Sequence, residues 1–339
     1  MSPTGRPEGE YRSAQHEGTP VSPTGRGHAA VYAKLVLVAL IWGGTFIAGR
    51  VVTVEVAPAS AALWRYVVAS VAVAILHGVL AGRLPPLSAR QWLGVTLLGA
   101  TGVAAYNLCF MIGLQTVPAS RASLIVALNP AVTFLGAIVL FGERVSPARA
   151  AGVALALTGA GIVLGHGNPL SLFAGGLGAG DAIVFGCVLS WSSYTLIGKR
   201  ILVGLTPLAA TAYASFVGTA LLALVALWLP APMSGGIAPP AASAGAWVAL
   251  VFLGVFGTAV AFVWFYDGVR ALGPARASVF INLVPVAAVL LGFLLLNERL
   301  EWSMLAGGLA VVAGVWLINR PVRPASIPLV EPVKESRCC

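Results

Sequence analysis

The chain has 339 residues, of which 58% are apolar and only 9% are Asp, Glu, Lys or Arg; its formal net charge is +9 and its mean hydropathy +0.92. Soluble proteins carry roughly 25% charged residues, so this chain lacks the charge to coat a water-soluble globule, and a bilayer is its natural solvent. The same balance excludes disorder and ordinary soluble enzymology, and the basic residues punctuate loops and tails instead of forming the single face that nucleic acid needs.

Residues 1–30 are rich in Pro, Gly, Ser and Thr and contain no apolar stretch fit for a signal-peptide core, so they read as a disordered cytoplasmic tail. A membrane span needs about 20 mostly apolar residues. Breaks at Pro, Gly and charge predict five spans, at 31–52, 59–78, 92–113, 122–141 and 148–164. A connection over 166–177 follows; its glycines lack the preceding strand that a nucleotide loop requires. Five further spans are predicted at 178–197, 208–229, 246–266, 277–296 and 302–318. From residue 320 to 339 the chain is Pro-rich and polar again, a second cytoplasmic tail. Cys109, Cys187, Cys338 and Cys339 form no spaced framework and are expected as free thiols.

The two halves repeat. Pro130 matches Pro285, Glu143 matches Glu298, Arg121 matches Arg276 and Trp92 matches Trp247, all at one offset of 155 residues (285 − 130). Earlier landmarks keep an offset of 149 (191 − 42), pairing Trp42 with Trp191 and Pro58 with Pro207. Five spans per copy is an odd number, so the second copy enters the membrane from the opposite side. The expected fold is therefore an all-α integral membrane protein of ten transmembrane helices, arranged as two inverted five-helix repeats over 31–165 and 178–319. With both termini cytoplasmic, sixteen Lys and Arg fall inside and only Arg50, Arg65, Arg121 and Arg299 fall outside or near it, as the positive-inside rule requires.

In this order the residues resemble the EamA-type transporters of the drug/metabolite transporter superfamily. The pieces are Ile41-Trp42-Gly43-Gly44-Thr45-Phe46 in span one, Trp64-Arg65-Tyr66 in span two, and the fourth-span run from Ala119 through Asn129-Pro130 to Gly142-Glu143-Arg144. Span nine repeats the last with Pro285 and Asn297-Glu298-Arg299. The resemblance covers residues 31–319 and implies export or exchange of small metabolites, often amino acids, by alternating access. One departure stands out: the small multidrug-resistance branch carries a Glu in its first span, and this first span has no acid, so proton coupling is left open.

Candidate site residues follow from the repeat, because helix interruptions at corresponding positions point to the midplane site of such transporters. Pro130 and Pro285 each remove a backbone donor and free a carbonyl, and Asn129 and Asn282 stand beside them with amides that serve either a substrate or the helix contacts themselves. Six of nine Trp lie near span ends and fit an interfacial belt; Trp42, Trp191 and Trp264 lie within spans, where they either line a cavity or pack. Polar neighbours, Thr45 beside Trp42 and Tyr194 near Trp191, favour a wetted pathway. Arg65 either snorkels outward or faces inward toward a substrate carboxylate. Tyr106, Asn107, Tyr213 and Tyr266 are weaker cavity candidates. Glu143-Arg144 and Glu298-Arg299 sit at span ends on opposite faces, as caps, interfacial ion pairs or gates.

No metal site or cofactor follows from this sequence. The expected partners are a small-molecule substrate and the lipid bilayer, in a monomer or homodimer of the cell membrane, with no nucleic acid. A nucleotide sugar or a lipophilic cation remain alternative substrates, and a membrane-embedded lipid-modifying enzyme is the alternative class, disfavoured by dispersed acids.

Overall fold

The computed structural model of the chain describes residues 25–142, 145–168, 178–201, 204–230 and 233–319. These residues form ten helical rods and, among them, no strand. In the first half they are α1 (Gly25–Glu55), α2 (Pro58–Ala81), α3 (Ala89–Leu114), α4 (Ala119–Phe141) and α5 (Pro147–Leu164). In the second they are α6 (Ala179–Ile201), α7 (Pro207–Trp228), α8 (Ala244–Leu272), α9 (Pro274–Ile281 joined to Leu283–Leu296) and α10 (Trp302–Ile318). Nine of these have the length and composition to cross a membrane, and α10 is a shorter apolar helix of 17 residues. An even number of crossings returns the chain to the face it left. We call that face the terminal end and the opposite one the far end.

Local chemistry sets the helix starts. Ser88 and Ser243, equivalent by the 155-residue offset, cap α3 and α8: Gln91 N donates to Ser88 Oγ at 3.3 Å and Ala246 N to Ser243 Oγ at 3.2 Å. Gln91 closes a capping box by accepting from Ser88 N at 3.0 Å. Pro58, Pro147 and Pro207 occupy first turns, where a missing N–H costs nothing. Large side chains such as Val139 and Leu309 point out of the bundle, while Ala and Gly dominate the buried faces. That is the pattern expected where lipid replaces water and helices associate by close packing.

The inverted repeat is written into atomic contacts. Ser70 and Thr219, which are each other's equivalents, hydrogen-bond through their hydroxyls at 2.9 Å, placing the pseudo-twofold axis between α2 and α7. Trp64 meets Trp247 edge-on at 5.8 Å, and their counterparts Tyr213 and Trp92 meet the same way at 5.6 Å. A Cβ at Gly99 would come within 2.9 Å of Ala214 O, and one at Gly254 within 2.8 Å of Arg65 O, again equivalent pairs. Each of these glycines therefore marks a place where one helix backbone lies directly on another.

Hydropathy predicts plain helices for spans three and eight; the structure instead gives each a π-helical segment, Gly99–Ala105 and Phe252–Val260, at equivalent positions. Widening one turn leaves the apolar composition unchanged, so the pattern of side chains carries no trace of it.

Candidate functional site

Two broken helices build the site. α4 ends its first piece at Val126, turns at Ala127 and Leu128, and resumes at Asn129; α9 does the same around Asn282. Pro130 and Pro285 have no N–H to give the carbonyls four residues before them, which belong to Val126 and Ile281. Those two residues, both prolines and both asparagines line one cavity of about 780 Å³. It runs from the breaks to the terminal end, where Arg149 in the first turn of α5, Lys199 near the end of α6 and Asn319 beyond α10 form its mouth.

α6 is held against the α4 break by hydroxyls: Thr133 Oγ1 donates to Ser192 Oγ at 3.0 Å, and Ser192 Oγ lies 3.5 Å from the Asn129 carbonyl it faces. Next to Ser192, Trp191 stacks on Tyr194 at 5.1 Å, and these rings with Tyr266 and Phe46 make an aromatic wall. Two cations line the same space. The Arg149 guanidinium lies 5.4 Å from the Phe134 ring centre, and Lys199 Nζ lies 4.8 Å from that of Phe141. Among the described lining residues there is no Asp or Glu. Asn129 Oδ1 and Arg149 Nε are buried atoms without a hydrogen-bond partner. From the sequence Arg149 reads only as a cytoplasmic loop charge; on α5 it shares a face with Ala156 and Val163, seven and fourteen residues on, which the structure buries.

The other predicted residues sit apart from this lining. Trp42, the equivalent of Trp191, donates Nε1–H to Gly257 O at 3.1 Å and packs on Phe262 and Phe265, while Thr45 Oγ1 bonds Trp42 O at 2.6 Å. Trp264 is partly buried and Tyr213 donates to Pro85 O at 2.7 Å. Tyr106 stands behind the wall, 5.6 Å from Trp191; Asn107 is buried, donates Nδ2–H to Val103 O at 2.7 Å, and leaves Oδ1 without a partner. Arg65 does not snorkel. It is 7% exposed, its guanidinium lies 5.7 and 5.5 Å from the Tyr66 and Phe110 rings, and its Nε and Nη1 have no hydrogen-bond partner.

The far end is closed by a polar cluster that the sequence left scattered. Arg121 holds Asp181 with two bonds, Nε to Oδ1 at 2.9 Å and Nη2 to Oδ2 at 2.8 Å, both partners buried. Its Nη2 also donates to Leu164 O at 2.9 Å, and Nη1 lies 2.5 Å from His166 Nε2. His166 Nδ1 is 3.0 Å from Glu301, joining the repeats. Hydrogen bonding by His166, then by Ser303, holds the Glu301 carboxyl below the usual carboxylate range. Glu298 accepts from Ala119 N at 2.7 Å, from Ser120 N at 3.0 Å and from the Ser120 hydroxyl, so it caps α4 from the other repeat. Arg299 is exposed beside it, and Glu143 and Arg144 lie outside the described residues.

Comparison with known proteins gives consistent matches. The EamA-like transporter family model matches residues 30–165 and again 178–320. A Streptantibioticus cattleyicolor protein named "Probable terminal-alkyne amino-acid exporter" is 35% identical over 88% of this chain and 97% of its own. The Escherichia coli inner membrane transporter YedA is 28% identical over 89% of this chain and 95% of its own, and the Bacillus subtilis transporter YyaM is 25% identical over 87% and 95%. A solved crystal structure, 22% identical, superposes with a TM-score of 0.60 over 85% of this chain and 98% of its own, which is a likeness of fold.

Proposed function

The chain belongs to the EamA-like transporter family, and from that premise we propose that it exports or exchanges an amino acid or related small metabolite by alternating access. The terminal end is assigned to the cytoplasm, on the distribution of Lys and Arg. The observation that carries the reading is the 780 Å³ cavity between the two proline breaks, reached at the terminal end and shut from the far end by the Arg121–Asp181 cluster. A midplane site between repeats, reachable from one side at a time, is the geometry that alternating access demands. The 35% identical relative, by its name, supports an amino acid as the class of cargo. Cations with no Asp or Glu among the described lining residues weigh against a lipophilic cation.

The test is flux in proteoliposomes of a labelled panel of aromatic and aliphatic amino acids, a nucleotide sugar and a quaternary amine, with and without a pH gradient. Saturable amino-acid flux is the expected result. A folded, inserted protein that moves none of the panel would overturn the reading.

A further inference from the structure

The cavity wall presents unequal chemistry along its length. At the α4 break the unpaired group is an acceptor, Asn129 Oδ1; toward the mouth it is a cationic donor, the Arg149 guanidinium, whose Nε has no partner. Arg149 rests on Phe134, whose backbone lies five residues, about 7.5 Å of helix rise, beyond Asn129 toward the mouth. Leaving a buried polar group unpaired is costly, and the cost ends when a ligand supplies the missing partner. A second cation, Lys199, lines the same cavity at its mouth.

We propose that Arg149 receives the carboxylate, and Asn129 Oδ1 the ammonium, of an α-amino acid whose side chain lies on the Trp191–Tyr194–Tyr266 wall. This rests on the transporter reading above and deepens it by fixing how the cargo lies. An α-amino acid carries an N–H donor group and an anionic acceptor group on one carbon. Both partners it needs, an acceptor at Asn129 and a cation at Arg149, line the one cavity. An apolar amine meets Arg149 with a like charge, and a simple carboxylic acid leaves Asn129 Oδ1 unpaired, so both bind more weakly. The carboxylate thereby faces the mouth and the ammonium the closed end.

The experiment uses the full chain in liposomes and measures binding by tryptophan fluorescence, with labelled flux in parallel. The probes are L-leucine, L-norleucine and L-phenylalanine, each beside its methyl ester and its deaminated acid. Wild type is expected to bind at least one amino acid about ten-fold tighter than either derivative. Arg149→Gln is expected to abolish the preference over the ester while keeping that over the deaminated acid. Asn129→Leu is expected to do the reverse, and Arg149→Lys to keep part of the ester preference, which separates lost charge from lost folding. If amino acids are transported but Arg149→Gln leaves the ester ratio unchanged, this orientation is wrong and the transport reading stands. If wild type neither binds nor moves any of the three amino acids, both fail for this class.

Discussion

At the residue scale the site divides charges that the sequence lists side by side. Arg149, grouped by sequence with the cytoplasmic loop cations, lies on the cavity wall, whereas Arg65, the conspicuous charge within a span, lies behind the Tyr106 and Phe110 rings. An Arg inside a bilayer costs several kcal/mol unless its hydrogen bonds are met, and two nitrogens of Arg65 have none. A charge held at such cost beside the aromatic wall is expected to serve transport more than stability. Arg65→Met should therefore raise the Tm of the detergent-solubilised protein, by a gain of about 1 kcal/mol or more, while lowering flux. A fall in Tm would instead make Arg65 a structural part of its ring cradle. Asn129, Pro130, Trp191, Tyr194, Asn282 and Pro285 were legible because Pro, Asn and Trp are conspicuous in apolar helices. The assignment of Arg149 was not, because whether a first-turn Arg faces solvent or a cavity depends on neighbours contributed by other helices.

At the element scale the repeat is held together by glycine. Gly152 and Gly159 of α5 face Gly314 and Gly307 of α10, and a Cβ at Gly159 would come within 2.5 Å of Gly307 O. Both helices place glycines seven residues apart, two turns, so one seam joins them backbone to backbone. Gly159→Leu is expected to cost about 3 kcal/mol or more, at the upper end of overpacking, and to lower Tm and the yield of monodisperse protein. Gly78, which is exposed with nothing within 4 Å of an added Cβ, is the matched control, and Gly78→Leu should leave both unchanged or slightly improved. Equal tolerance at the two positions would show that the seam is loose. The breaks at Pro130 and Pro285 were readable because proline removes a specific donor. The π-helical turns of α3 and α8 were not, because widening a turn leaves the apolar pattern of side chains unchanged.

At the scale of the whole molecule the two ends are unequal, although the repeat would make them alike. Across the repeat offsets, Asp181 is matched by Tyr32, Glu301 by Ser146, Ser120 by Ala275, and Ala119 by Pro274, which has no N–H to offer Glu143. Arg276, the counterpart of the buried Arg121, is exposed. Among the described residues the buried Arg121–Asp181 pair thus has no symmetry-equivalent at the terminal end, where Lys34 and Asp267 form a partly exposed ion pair at 2.9 Å instead. Removing one partner of a buried pair typically costs 3–5 kcal/mol. In a background without Cys109 and Cys187, Asp181→Asn should speed labelling of Ser123→Cys by a far-side, membrane-impermeant thiol reagent by about ten-fold or more. Unchanged labelling would show that other contacts hold the far end shut.

What the sequence determined by itself was the architecture: a chain this poor in charge must be helical in lipid, and two offsets of matching Trp, Pro and Glu residues make an inverted repeat of five-helix halves. These are properties of composition and spacing, which require no knowledge of contacts. Only the tertiary structure decided which of two equivalent residues does what. It put Trp191 on the cavity and Trp42 against Phe262 and Phe265, buried Arg121 and exposed Arg276, and brought Arg149 to the wall. The physical reason is that the two halves differ in sequence at matched positions, so they pack differently. In any one conformation equivalent residues meet different neighbours, and those neighbours come from helices distant in the chain.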